Sequence, residues 1–75
     1  MSGRPKKHSL TLRGHRTSVS LEDEFWDAFR EIAARDNRPI NALAAEIDAA
    51  RGTETGLASA IRLFVLARLR HPTPD

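Results

Sequence analysis

Two short alternating runs near the start of the chain have opposite parity. Leu10 and Leu12 are apolar at even positions, whereas Thr17, Val19 and Leu21 repeat at odd ones, with polar residues between them. Successive side chains of a strand point to opposite faces, so one regular strand cannot carry both sets on the same side. Something between them resets the register, and Gly14, inside Arg13-Gly14-His15-Arg16, is the natural place. A hairpin turn and a bulge both satisfy the pattern.

After Leu21 the period changes from two to helical. Phe25, Ala28, Phe29, Ile32 and Ala33 predict a helix over about residues 22–36. Glu22, Asp23, Glu24 and Asp27 put carboxylates beside its unpaired first-turn N–H groups, and Ser20 with Asp23 has capping-box spacing. Asn37 suits the left-handed residue after that helix, and Pro39 suits the first turn of the next. Ile40, Leu43, Ala44 and Ile47 form a second stripe running to about Ala50, before Gly52. Beyond the Gly52-Thr53-Glu54-Thr55-Gly56 loop, a third helix is expected from about Leu57 to Arg70. Leu57, Ile61, Leu63, Phe64, Val65, Leu66 and Leu69 cover most of its circumference.

That third helix bears on size. With 75 residues and no cysteine, the chain is at the limit where a single core offsets conformational entropy, and disulfides are excluded as a staple. A second subunit is the remaining staple, and a partner chain is expected over the far side of the third helix. The run Leu57 to Leu69 is too short to span a bilayer and is interrupted by Arg62 and Arg68, and no apolar stretch follows the basic N-terminus. A soluble, cytoplasmic protein without membrane association is therefore expected.

Charge is unevenly placed. Arg4, Lys6, Lys7, Arg13 and Arg16 precede the first acid, Glu22, although the whole chain carries only +2. Residues 1–8 read as a disordered basic arm, residues 9–70 as the folded domain, and residues 71–75 as a disordered tail. A lone short strand is unstable, but in a two-fold dimer it can pair with its own copy. Thr17, Val19 and Leu21 would then pack on the helices, leaving Arg16, Ser18 and Ser20 outward. A two-stranded ribbon fits the major groove of B-DNA, where Arg bonds guanine and hydroxyls bond several base edges.

The run RTSVSLEDEFWDAFREIAARDNRPINALAAEI resembles a ribbon-helix-helix DNA-binding domain of the Arc/MetJ class. It resembles especially the bacterial subgroup with an HRTSVSLEDEFW-type opening and a later SAIR segment, here Ser59-Ala60-Ile61-Arg62. The resemblance covers roughly Ser9 to Leu69. It implies a mostly α fold with a short N-terminal β element, an intertwined homodimer and a role in transcription regulation, here with an additional C-terminal helix. Carried onto this sequence, it assigns base contacts to Arg16, Ser18 and Ser20. Phosphate contacts fall to the start of the second helix, with the amides of Ile40 and Asn41 and the charge of Arg38. Arg13, His15, Lys6 and Lys7 are further phosphate candidates. Thr11 and Arg13 are the alternative outward residues if the first run is the reading strand, and Gly56 to Ser59 is the alternative clamp. The expected dimer core is Val19, Leu21, Phe25, Phe29, Ile32, Ile40, Leu43, Ile47, Ile61 and Phe64.

Other chemistries find little support. His8 and His15 have no Cys, neighbouring carboxylate or helical i, i+4 pairing, so no metal is expected, and no cofactor. Trp26 is expected to pack at an interface over the Arg30 stem, and Arg62, Arg68 and Arg70 to form a solvated helix edge. No enzyme is expected, because a helix start accounts for the acidic cluster and no nucleophile, base and acid set stands out. The expected function is sequence-specific binding of double-stranded DNA by a homodimer, nucleoid-associated when bound. The competing reading is a protein-interaction module or antitoxin-like adaptor docking a protein partner through the third helix.

Overall fold

The computed structural model describes residues 3–72 and contains five elements. Strands β1 (Lys6–Leu12) and β2 (His15–Leu21) form a two-stranded antiparallel sheet. Three helices follow: α1 (Asp23–Arg35), α2 (Ile40–Ala50) and α3 (Leu57–Arg70). The expected disorder of residues 1–2 and 73–75 lies outside the described residues. Of the residues expected to form a disordered basic arm over 1–8, Lys6, Lys7 and His8 instead belong to β1.

The register reset is a hairpin, not a bulge. Leu12 pairs with His15, leaving Arg13 and Gly14 as a two-residue loop, and both have positive φ, 52° and 84°. Positive φ at both loop positions is the signature of a type I′ turn, whose twist matches that of the strands it joins. Pairing continues through Leu10 with Thr17 and His8 with Val19. An even residue of β1 therefore always faces an odd residue of β2, which puts Leu10, Leu12, Thr17, Val19 and Leu21 on one face. β2 takes its partner from its own chain, where a second copy had been expected.

The capping box does not form. Ser20 is inside β2, and Glu22 occupies the N-cap of α1 in extended conformation without a side-chain cap bond. At the other end, Asn37 is left-handed (φ 59°) as its position suggested. The Arg38 N–H donates to the Ala33 carbonyl at 2.9 Å and the Asn37 N–H to that of Ala34 at 3.0 Å, the paired closure of a Schellman motif. Pro39 is the N-cap of α2, one position before the first turn.

Leu10, Leu12, Val19 and Leu21 of the hairpin are buried against Phe29, Ile32 and Ala33 of α1, Leu43 and Ala44 of α2, and Ile61 and Val65 of α3. Phe25, Ile40, Ile47 and Phe64 pack around this cluster, partly buried. Of the expected core residues, Val19, Leu21, Phe29, Ile32, Leu43 and Ile61 are buried within the single chain. The reason is cover: β1 and α3 supply the apolar surface that a single strand with two helices would have to borrow.

Two of the arginines expected to be solvated join α3 to the ends of α1. Arg62 Nη2 lies 2.9 Å from Glu22 Oε1, and Arg68 grips both oxygens of Asp36 at 2.6 and 2.8 Å. Trp26 does not lie over Arg30. It stacks flat on His8 of β1, ring centroids 4.1 Å apart and 9° from parallel, with its other side tilted onto Phe29.

Two outcomes follow for stability. A Cβ at Gly14 would meet no atom within 4 Å, so Gly14→Ala costs only the backbone strain of positive φ, about 1 kcal/mol, visible as a melting temperature lower by roughly 4–8 °C. The guanidinium of Arg68 holds Asp36 below the usual carboxylate range. A hydrogen bond from the backbone and then Arg62 do the same for Glu22. Carboxyls depressed on folding contribute stability that is complete above their unfolded values and is lost as the pH falls through the folded ones. Urea unfolding from pH 7 to 2 should therefore show stability declining below about pH 5, and Arg68→Leu should flatten part of that decline. High salt should shrink the difference, because both pairs are reached by solvent.

Candidate nucleic-acid interface

The hairpin face opposite the core is built by the same register. Lys7 stands across from Ser20, Ser9 from Ser18, and Thr11 from Arg16, and all six are exposed. The face thus offers two cationic side chains and four hydroxyls, with no carboxylate among the six. A hydroxyl both donates and accepts, and a guanidinium presents a planar fork of donors. Two strands about 4.8 Å apart make a ribbon narrow enough for a groove of about 12 Å.

Arg16, Ser18 and Ser20 all lie on this face, as the strand period predicted. Thr11, the alternative outward residue, lies there too, so the two assignments turn out to be opposite strands of one surface. Ser9 was not singled out from the sequence. Its signal was parity: Lys7, Ser9 and Thr11 are out of phase with Leu10 and Leu12, which identifies them once a hairpin is chosen over a bulge.

The phosphate candidates are dispersed. Lys7 is on the outward face, but Lys6 has core-side parity and its Nζ is 3.2 Å from Asp23. Arg13 occupies the turn. His15 shares the parity of the core side and lines an open hollow at the hairpin tip with Arg13, Asp48 and Arg51. Arg38 is engaged by Glu46 in a two-pronged pair, Nη1 donating to Oε1 at 2.8 Å and Nη2 to Oε2. That bond raises the Arg38 pKa and lowers that of Glu46.

The start of α2 sits directly beside the ribbon. Asn41 Oδ1 accepts the backbone N–H of Thr11 at 3.1 Å, a bond across 30 positions that caps the outer edge of β1. The first intrahelical bond of α2 runs from the Leu43 N–H to the Pro39 carbonyl at 3.1 Å. The N–H groups of Ile40, Asn41 and Ala42 therefore precede the ladder and carry the positive end of the helix dipole. The other candidate clamp, at Gly56, lies on the β2 side, where Leu57 shares the tip hollow with Thr17 and Ser18.

An antiparallel two-stranded ribbon with a polar cationic face, followed directly by helices that close the core beneath it, defines a ribbon-helix-helix module. The chain belongs to the ribbon-helix-helix domain family, whose family model matches residues 5–69, spanning the hairpin and nearly all of α3. The family consists in general of DNA-binding transcription regulators without enzymatic activity. No curated protein and no solved structure matches the chain. No helix among the described residues is long and apolar enough to cross a membrane.

Proposed function

We propose that the chain binds double-stranded DNA in a sequence-specific manner as a homodimer and regulates transcription in the cytoplasm, with the outward face of the hairpin in the major groove. The observation that carries this reading is the face formed by Lys7, Ser9, Thr11, Arg16, Ser18 and Ser20, exposed and free of carboxylates on a two-stranded ribbon. Arg16 reads guanine O6 and N7 through its fork, and Ser18 and Ser20 read neighbouring edges by donating or accepting. Thr11 and Ser9 extend the same surface from β1.

Phosphates on one side are met by the amides of Ile40 and Asn41, which the Asn41–Thr11 bond positions against the ribbon. Arg38 reaches a phosphate only by exchanging the Glu46 carboxylate for it. Arg13 and His15 at the tip, with Lys7 at the open end, place charge at the two extremes of the ribbon. Lys6 contributes less, since Asp23 already holds it.

Electrophoretic or anisotropy titrations with a selected operator test this assignment. Arg16→Ala should lose about 1–3 kcal/mol on the operator and bind random duplex nearly as the parent does, narrowing the preference between them. Lys7→Ala should weaken both sequences alike and lower the slope of log affinity against log salt by about one, with Lys6→Ala changing it less. An Arg16→Ala protein as selective as the parent would place the reading surface elsewhere.

A further inference from the structure

The two strands of the hairpin carry the same pattern. β1 reads KKHSLTL and β2 reads HRTSVSL, seven residues each, with the same order of exposed, half-buried and buried positions. Aligned on their last leucines, the outward side chains correspond one to one: Lys7 with Arg16, Ser9 with Ser18, and Thr11 with Ser20. The register makes that correspondence spatial. Ser9 stands across from Ser18, Lys7 from Ser20 and Thr11 from Arg16, so a two-fold rotation about the Ser9–Ser18 pair carries Lys7 to the place of Arg16 and Thr11 to that of Ser20. Each strand thus presents a cation, a serine and a second hydroxyl in the same order, with the cations at diagonally opposite ends. We propose that one hairpin is a complete two-sided reader, and that the duplex segment it recognises is a near-palindrome with unequal halves, a strict guanine under Arg16 and a relaxed position under Lys7.

This deepens the DNA reading above and rests on it. Core packing accounts for the shared inward positions, because both strands cover the same helices, but it makes no demand on the outward ones. There the match is one of hydrogen-bonding chemistry. A protein two-fold is mirrored in the symmetry of the site it binds, and four residues along a strand advance about 13 Å, close to four base-pair steps of about 3.4 Å. The two halves differ in their cations. Arginine brings a planar fork that meets guanine O6 and N7 together, whereas lysine brings a single flexible point charge. Lys7 therefore holds phosphate on any sequence while Arg16 selects a base. Beneath the sheet the symmetry ends: Asn41 bonds to β1, and His8 stacks on Trp26 whereas its counterpart Thr17 lines the tip hollow. The hairpin has a fixed direction on its helices and a nearly reversible outer face.

Exchanging the two cations tests this without altering net charge or core. Lys7→Arg, Arg16→Lys and the two combined would be compared with the parent by selection from randomised duplexes. Anisotropy titrations would follow on single-base variants of the selected site, in duplexes of about one helical turn that hold one hairpin. Far-UV circular dichroism confirms that each variant is folded. Arg16→Lys should lower the preference for the strict guanine about tenfold. Lys7→Arg should add a second required guanine, about four base pairs away on the opposite DNA strand, and so make the site palindromic. The combined variant should recover the selectivity that Arg16→Lys lost, because a single arginine at either end reads the same duplex turned round. A Lys7→Arg protein with the parent's site, or a combined variant as unselective as Arg16→Lys, would overturn the proposal while leaving Arg16 as a base reader. Full selectivity in Arg16→Lys would instead remove the hairpin face as the reading surface, and this inference with it.

Discussion

The two-residue turn at Arg13 and Gly14 is the constraint to which the rest of the molecule is referred. Because the loop has an even number of residues, the strands fold back with even positions of one facing odd positions of the other. That parity decides which side chains enter the core and which reach solvent. A turn one residue longer would shift the register and move one set of side chains to the other face. Arg13 accepts a left-handed backbone for this purpose, at an energetic cost that a β-carbon-bearing residue incurs and glycine does not. The cost is recovered through burial of Leu10, Leu12, Val19 and Leu21 on a common side.

Much of this was legible from the residues. The period change after Leu21, the left-handed Asn37, the stop at Pro39 and the bounds of α3 each rest on local stereochemistry, and local stereochemistry survives into the fold. Arg16, Ser18 and Ser20 were placed outward from alternation alone. What was not legible depends on contacts between distant segments. Whether Gly14 makes a turn or a bulge is decided by whether β1 can cover β2, a matter of partners 3 to 15 residues apart. The Asn41 bond to β1, the arginine pairs from α3 to both ends of α1, and the His8–Trp26 stack join residues 18 to 40 positions apart. No periodicity announces such pairs. That Leu10 and Leu12 of β1 and Ile61 and Val65 of α3 share one core with β2, α1 and α2 is likewise a matter of distant contacts.

Helix α3 therefore has two roles that sequence merges. Its Ile61 and Val65 side complete the core over Phe29, and its leucine side faces away. In a helix apolar nearly all round, the arginines mark the boundary between those faces, because they are the positions from which α1 can be reached by an ion pair. Holding Arg62 and Arg68 to Glu22 and Asp36 also fixes the direction in which the outer leucines point.

The stack of His8 on Trp26 has a consequence for observation. Trp26 is the chain's sole tryptophan, and it is in contact with the first strand, the element most remote in sequence from the helices it covers. Its emission is consequently sensitive to the seating of the hairpin on α1. The ring nitrogen Nε2 of His8 is buried against it without a hydrogen-bond partner, so any loosening that lets water reach that nitrogen also changes the indole's surroundings. The molecule carries its own optical gauge of whether the ribbon is docked.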